Sequence, residues 1–282
     1  MSDACAGLTV VAPAKANLFL HVTGRRDDGY HLLESLFVLL DWCDTIVLSR
    51  RSDSTIVRSG EVRDVAETDD LAIRAAHALR DATGAHEGVT IAVHKRVPQG
   101  AGLGGGSSDA ASVLLALNRL WQLHLPRSAL TAIGRKLGAD VPFFIEGEAA
   151  IGRGIGDILT PLSIPRYWLA LALPPIRVST KQIFDSLQLT PPTASAKMNV
   201  FSEGYGRNDL EVTAMSRYGV VREAIDALSR ASPNARMTGS GACAFAVFSS
   251  ERDARLALRH LPHDIEGRVV RTLARHPLYA LA

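Results

Sequence analysis

A glycine-rich segment, PQGAGLGGGSSD at residues 98–109, stands between a strand-like run and a long apolar helical pattern. Glycine permits positive φ and lets another group approach the backbone closely, because it has no Cβ. The amides that begin the next helix lack helical partners and carry partial positive charge, so they favour an anion. The segment therefore predicts a phosphate-binding loop for a polyphosphate, and a flexible connection capped by a serine is the structural alternative.

Two common nucleotide-binding motifs do not explain this loop. Gly100, Gly102 and Gly105 form a G-x-G-x-x-G pattern, but a dinucleotide-binding fold also needs an acidic residue about twenty positions later. Residues 110–139 contain no Asp or Glu. A Walker A loop needs Lys after its last glycine, whereas Gly105 is followed by another glycine and a serine. The general preference of a helix N-terminus for phosphate remains.

The segments before the loop are mostly β in pattern. A first apolar run is interrupted at Pro13, and a second strand is expected over residues 15–22. A helix with Thr68 or Asp69 as its cap is expected to end at Gly84. A strand-like run then leads into the glycine loop.

The segments after the loop alternate between helix and strand. Residues 107–123 are apolar nearly all round, which predicts a buried helix. A second helix is expected from Arg127 to Gly138, and the run from residue 142 to 162 has a strand-like composition. Helices placed among sheets, after a β-rich start, indicate the α+β class.

Length and composition exclude several classes of protein. A chain of 282 residues makes about two domains. The net charge of +2 is scattered, which argues against nucleic-acid binding. The apolar runs are short and the first residues lack a secretion signal, which argues against a membrane protein. Three cysteines without metal-ligand spacing, Cys5, Cys43 and Cys243, favour a reducing cytoplasm.

Four segments carry a family resemblance: PAKANLFLHVTGRRDDGYHLLESLF, GLGGGSSDAAS, LGADVPFFIEG and MTGSGACAFAVF. The second resembles the P-x-x-x-G-L-G-x-S-S-x-A-A motif of the GHMP kinases, with one additional glycine. Together, in this order, the four resemble the 4-diphosphocytidyl-2-C-methyl-D-erythritol kinases of the non-mevalonate isoprenoid pathway. The resemblance implies phosphoryl transfer from ATP to the 2-hydroxyl of cytidine diphosphate-linked methylerythritol, giving the 2-phosphate and ADP.

The resemblance also implies a GHMP kinase fold with an S5-like N-terminal domain and a ferredoxin-like C-terminal domain. We place these domains at residues 1–162 and 163–282, because Pro161 and Pro165 mark a change in pattern. The segment TGSGAC of the second domain is expected to lean on the phosphate loop. A cytoplasmic monomer or weak homodimer, without nucleic-acid or membrane partners, is the expected form.

The implied catalytic pair is Asp140 and Lys15. Phosphoryl transfer needs mostly positioning and charge neutralisation from the protein. By resemblance, Asp140 is the general base for the substrate hydroxyl, and Lys15 pairs with it and polarises the same oxygen. Spacing alone favours a structural role for each: Asp140 as a turn residue that caps neighbouring amides, and Lys15 as a solvated strand end.

The nucleotide site is expected around the loop, with Mg²⁺ accompanying ATP. We name no protein ligand for the metal. By resemblance, Asp70 occupies a position where asparagine is familiar in relatives. Asparagine can donate and accept hydrogen bonds, whereas an ionised aspartate only accepts, so contacts with the adenine base are expected to differ here. The residues implied to bind ATP are Asp70, Lys95, Pro98, Gln99, Gly100, Ala101, Gly102, Leu103, Gly104, Gly105, Gly106, Ser107 and Ser108.

The acceptor site is implied by aromatic residues. Tyr30 and Phe184 would sandwich the cytosine, and His31 would hydrogen-bond its edge. Asn17 would lie near the phosphates or the sugar-like chain, with Thr180 in the same wall, next to a lysine where some relatives have proline. Each ring taken alone could instead be ordinary core packing.

Two other functions stay open from the sequence. A GHMP relative with another acceptor, such as a homoserine or mevalonate kinase, or the related decarboxylase, would not need the GYH segment and Phe184. A non-catalytic nucleotide-binding module would be expected to have lost Lys15 or Asp140, yet both are present.

Overall fold

The computed structural model describes residues 7–60, 65–187 and 205–281, and Cys5 lies outside them. In these ranges the strands are β1 Gly7–Arg25, β2 His31–Arg51, β3 Ile56–Ser59, β4 Gly88–His94, β5 Ala150–Arg153, β6 Ile158–Pro161, β7 Trp168–Leu173, β8 Arg236–Met237, β9 Ala244–Phe248 and β10 Glu266–Leu273. The α-helices are α1 Leu71–Thr83, α2 Gly105–Leu120, α3 Arg127–Arg135, α4 Val141–Glu146, α5 Thr180–Asp185, α6 Glu211–Arg217, α7 Gly219–Ser229 and α8 Glu251–Ala257. Not one helix of the described ranges has the length and apolar character needed to cross a membrane.

The strands form one sheet in the order β3-β4-β2-β10-β7-β9-β8. The long strand β2 also pairs with β1 along its length and with β5, which in turn pairs with β6. From β7 onward the described chain runs β7, the helices α5 to α7, β8, β9, α8 and β10, a β-α-β-β-α-β pattern with additional helices at the first crossover, and its strands lie antiparallel in the order β10-β7-β9-β8. This is the ferredoxin-like arrangement, so the expected α+β class and C-terminal topology are confirmed.

Helix α2 lies in the centre of the first half of the chain. All of its residues from 108 to 118 are buried, and it packs against α1, α4 and β1. Small side chains such as Ala110 and Ala111 let these neighbours approach its first turns. The prediction of a buried helix is confirmed, and the burial holds the helix N-terminus in a fixed place at the end of the glycine loop.

Three local predictions were wrong. Strand β1 continues through Pro13 because a register shift between Pro13 and Lys15 accommodates the missing N–H. The cap of α1 is Asp70, whose Oδ1 accepts from the amide of Ala72 at 2.9 Å. The run at residues 141–146 forms helix α4, since a short apolar run does not distinguish a buried helix from a strand.

Candidate active site

A cleft of about 1130 Å³ opens beside the glycine loop. One wall is formed by the loop and the first turn of α2, and the other by residues 28–31 and α5. All the predicted site residues line this cleft except Ala101 and Ser108. The backbone oxygen of Ala101 accepts from the amide of Cys243, and Ser108 is fully buried, so both lie behind the cleft wall.

The glycine loop ends in the start of α2. Gly104 is the N-cap of α2 in the left-handed conformation, with φ of 70°, and no side chain of the described residues caps the helix. The first amides of α2 therefore stay available to a ligand at the cleft. A Cβ on Gly104 would lie 2.9 Å from Cγ of Lys15, so this glycine also makes room for the lysine stem.

The turn at residues 238–243 supports the loop from the C-terminal half. Gly102 has φ of 76°, and a Cβ there would lie 2.5 Å from the carbonyl oxygen of Thr238. The amide of Val178 donates to the carbonyl of Gly100 at 3.3 Å. The expectation that TGSGAC leans on the phosphate loop agrees with these contacts.

Lys15 and Asp140 meet at the inner end of the loop. The amide of Lys15 donates to the carbonyl of Leu103 at 2.9 Å, and its ammonium lies 3.5 Å from Oδ2 of Asp140. The Lys15 side chain is 5% exposed, which excludes a solvated strand end. Asp140 precedes α4, yet its side chain caps no amide in the described chain, which leaves the carboxylate available at the cleft.

Asn17 is fixed next to this pair. Its Oδ1 accepts from the ammonium of Lys15, and its Nδ2 donates to Oγ of Ser35 at 2.7 Å. Its amide donates to Oγ1 of Thr238 at 2.8 Å. Because every one of these groups is buried, Asn17 holds the lysine at the cleft and has little freedom of its own.

Lys95 lies between two carboxylates that the sequence analysis did not assign. Its Nζ is 2.5 Å from Oδ2 of Asp44 and 2.6 Å from Oδ2 of Asp109. Burial opposes the charged ammonium, but the two carboxylates outweigh it and raise the pKa of Lys95. Asp109 stands inside the quoted glycine motif, whereas Asp44 comes from β2 with no local signal.

Asp70 has a structural task in addition to lining the cleft. Besides capping α1, its Oδ2 lies 3.5 Å from Nη1 of Arg58. A carboxylate at a helix N-terminus is stabilised by the helix dipole and by the amides that it caps. The Asp70 carboxylate is thus held mainly by its own helix.

The aromatic side chains lie at the other end of the cleft. The rings of His31 and Phe184 stack with centroids 5.3 Å apart and planes at 28°. Burial lowers the pKa of His31, and Arg25 adds to this effect. Tyr30 is 63% exposed, and the ring that stacks on Phe184 in this structure is that of His31. Oγ1 of Thr180 lies 2.7 Å from Oγ of Ser240 on the same side.

Sequence reasoning missed several other residues of the cleft wall. Most of them lie in or near the segments that carry the family resemblance. No sequence pattern separates them from neighbouring residues whose side chains lie outside the cleft. The polar ones are Arg25, Asp28, Ser35, Asp69, Asp185 and Ser240; the other two polar residues of the wall, Asp109 and Lys181, lie in segments that the sequence already places at the cleft.

Comparisons with known proteins point to one family over nearly the whole chain. The family model of the GHMP kinases N terminal domain matches residues 70–148, and that of the GHMP kinases C terminal matches residues 191–265. The chain is 50% identical over 268 residues to a 4-diphosphocytidyl-2-C-methyl-D-erythritol kinase of Thiobacillus denitrificans, covering 95% of this chain and 96% of that one. A relative of the same name from Cupriavidus necator is 50% identical over 276 residues, covering 96% of this chain and 94% of the relative.

Solved structures of GHMP kinases have the same fold. A crystal structure of 4-(cytidine 5'-diphospho)-2C-methyl-D-erythritol kinase superposes with a TM-score of 0.83 at 33% identity, over 94% of this chain and 99% of that chain. A homoserine kinase from Cytophaga hutchinsonii reaches a TM-score of 0.68 at 16% identity, over 98% of this chain and 97% of that chain. At that identity the second likeness concerns the fold alone.

Proposed function

The chain belongs to the 4-diphosphocytidyl-2-C-methyl-D-erythritol kinases of the GHMP kinase family, and we propose how its cleft carries out their reaction. The enzyme is an ATP-dependent small-molecule kinase. It transfers the γ-phosphoryl group of ATP to the 2-hydroxyl of the methylerythritol part of the cytidylated substrate, releasing ADP. The approach of Lys15 to Asp140 at the end of the phosphate loop is the observation that carries this proposal.

In this proposal Asp140 accepts the proton of the attacking hydroxyl. One third of its side chain is exposed at the cleft, and it caps no helix amide in the described ranges. The carboxylate can therefore contact the hydroxyl of an acceptor substrate. Lys15 neutralises negative charge as the oxygen approaches the phosphorus. Asn17 keeps the ammonium in that position through its own hydrogen bonds.

The phosphates of ATP would lie against the first turn of α2. The uncapped amides at Gly105, Gly106 and Ser107 are donors that an anion can use, and the helix dipole favours negative charge there. A buried sixteen-residue helix holds these donors in place before the nucleotide binds. Positioning of this kind supplies much of the rate in phosphoryl transfer.

Mg²⁺ is part of the proposal as the partner of ATP. No group of three or more His, Cys, Asp or Glu side chains in the described ranges could hold a metal ion. Mg²⁺ commonly keeps several waters and binds substrate phosphates with only one or two carboxylates. We therefore propose that the ion enters with the nucleotide, where it would neutralise phosphate charge, and we assign it no dedicated protein cage.

The aromatic end of the cleft would bind the cytosine. The stacked rings of His31 and Phe184 and the exposed ring of Tyr30 provide flat surfaces for a base. A base between Tyr30 and Phe184 would stack on a face of the Phe184 ring, whose other contact is with His31. The expected form of the enzyme, a monomer or a weak homodimer, stays a prediction.

The test measures ADP release with Mg²⁺ and ATP. Cytidine diphospho-methylerythritol, free methylerythritol phosphate, homoserine and mevalonate are offered in parallel to the wild type, to Asp140→Asn and to Asp226→Asn. Asp226 is an exposed residue of α7 and serves as the matched control. We expect turnover with the cytidylated compound in the wild type and in the control, and its loss in Asp140→Asn.

Other outcomes have distinct meanings. Turnover with homoserine or mevalonate would keep the kinase chemistry and overturn the cytosine site. Binding of ATP without turnover of any acceptor would favour a non-catalytic module. Full activity of Asp140→Asn would remove this carboxylate from the mechanism.

A further inference from the structure

A buried charged cluster borders the start of α2, and we name it the Lys95 cluster after its central residue. It consists of Lys95, Asp44 and Asp109, with Nζ bonded to one oxygen of each carboxylate at 2.5 and 2.6 Å. Asp44 is fully buried and Asp109 is 5% exposed. With both carboxylates ionised, one positive charge faces two negative charges.

The two carboxylates are held differently. Oδ1 of Asp44 accepts from the amides of Arg96 and Val97, so both of its oxygens are occupied. Oδ2 of Asp109 accepts from Lys95, but its buried Oδ1 has no hydrogen-bond partner among the described residues. Protonation of Asp109 at Oδ1 breaks no hydrogen bond, whereas protonation of Asp44 would disturb one that it already makes. Asp109 is therefore the carboxyl group that can take up a proton more easily.

The cluster lies where an anion is expected. A Cβ on Gly105 would be 3.2 Å from the ammonium of Lys95, so the cation stands beside the first residue of α2. A positive charge at a helix N-terminus is disfavoured by the helix dipole. Asp44 and Asp109 offset that cost in the free protein, and a polyphosphate at the same place would compete with them for the lysine.

The surroundings of Asp109 favour its neutral form. The charged groups that face it are Lys95 after β4, Asp44 on β2 and Asp70 at the start of α1. An ionised carboxylate would leave Oδ1 buried and unpaired, whereas a proton on that oxygen removes the charge. Burial raises the pKa of Asp109 to about 7, although Lys95 opposes the shift.

We propose that ATP binding is coupled to proton uptake by Asp109, which weakens its ion pair with Lys95 and lets that ammonium bind the phosphates. The proton comes from solvent and binds to the Asp109 carboxylate, and it leaves again when the nucleotide departs. Asp109 and Asp44 are thus positioning residues that act through Lys95. The inference rests on the proposed function, because it requires ATP at the start of α2.

Isothermal titration calorimetry tests the coupling. ATP with Mg²⁺ is titrated without acceptor near pH 7.5 in buffers of different ionisation enthalpy, so that the buffer dependence of the heat reports protons taken up. We expect uptake of a fraction of a proton, and an affinity that falls several-fold between about pH 6.5 and about pH 8.5. Affinity for ATP falls as the pH rises because the bound polyphosphate stabilises the protonated form of Asp109. The affinity is therefore highest below the pKa of this carboxyl group.

Asp109→Asn keeps the shape of the side chain and is permanently neutral. It should take up no proton at this site, show a flatter pH profile and bind ATP more tightly than the wild type near pH 8.5. Asp81→Asn, which removes an exposed charge on α1, should retain the uptake of the wild type. Lys95→Met should bind ATP more weakly at every pH, because it removes the cation itself.

The outcomes separate the two proposals. Wild-type protein that binds no ATP would overturn the proposed function. Wild-type protein that binds ATP with the same proton uptake as Asp109→Asn would overturn only the coupling. If Asp109→Asn does not fold, carbon NMR of labelled aspartates in the wild type decides, because one carboxyl should titrate near pH 7 and shift upward on adding ADP.

Discussion

Lys15 and Asp140 face each other at 3.5 Å although they come from β1 and from the residue before α4. Two backbone features enforce this approach. The amide of Lys15 donates to the carbonyl of Leu103 at 2.9 Å, which ties β1 to the glycine loop, and Gly104 leaves space for the lysine stem. The ion pair is therefore a consequence of how the first strand, the glycine loop and α4 meet.

The first prediction concerns the carboxylate of this pair. Asp140→Asn should lower kcat by about two to four orders of magnitude, because the amide cannot accept the hydroxyl proton. Its affinity for ATP should stay near that of the wild type, since Asp140 contacts the acceptor hydroxyl and not the nucleotide in the proposed mechanism. Steady-state kinetics and nucleotide titration measure the two effects, and Asp226→Asn is the control. A variant with near-normal kcat would contradict the role as base.

The second prediction concerns the support of the phosphate loop. Gly102→Ala should destabilise the protein by about 2–4 kcal/mol and weaken ATP binding, since the new Cβ would collide with the carbonyl of Thr238. Gly84 has a similar positive φ, but a Cβ there would have no atom within 4 Å, so Gly84→Ala is the matched control. It should cost only about 1 kcal/mol, as expected from backbone strain alone. Denaturant unfolding compares the two, and equal losses would contradict the packing argument.

The third prediction concerns the aromatic end of the cleft. His31→Ala should raise KM for the cytidylated substrate at least about tenfold and change KM for ATP little, because it removes a stacking and hydrogen-bonding group. His86→Ala replaces an exposed histidine away from the cleft and should change neither constant. A parallel rise of both constants in His31→Ala would indicate a structural role instead.

The backbone form of the glycine loop could be predicted because it depends on local sequence, and its binding of phosphate stays a prediction. Consecutive glycines before an apolar helix permit positive φ and close approach to the backbone, and the first amides of the helix have no helical partner. Both properties follow from residue types alone. The buried helix after the loop follows from its apolar character on all faces. The division of the chain at residues 162 and 163 stays a prediction, because the sheet runs through β2 and β10 without a break.

The missed features depend on contacts between distant segments. Asp44 meets Lys95 and the amides after it only when β2 pairs with β4, and the composition of β2 does not indicate a buried carboxylate. Helix α4 differs from the predicted strand because the run PFFIEG is too short for its pattern to decide, and its packing against α2 and α3 determines its form. The stacking of His31 on Phe184 likewise joins β2 to α5 across the cleft.

The last prediction concerns stability against acid. His276 is buried, Nδ1 accepts from the amide of Leu278 at 3.0 Å, and burial together with Arg127 lowers its pKa to about 3. Above an unfolded pKa of about 6.5 the residue is neutral in both states, and the full stability is present. Between about 6.5 and about 3 only the unfolded state takes up the proton, so stability should fall by up to about 1.4 kcal/mol per pH unit.

Replacing this histidine should remove that part of the acid sensitivity. In His276→Gln the free energy of unfolding near neutral pH is expected to be lower, but its decline between about pH 6 and about pH 4 should be shallower than in the wild type. Urea unfolding at a series of pH values measures the slope, and His86→Gln should keep the slope of the wild type because His86 is exposed. A slope unchanged in His276→Gln would mean that the buried imidazole is not what couples this fold to pH.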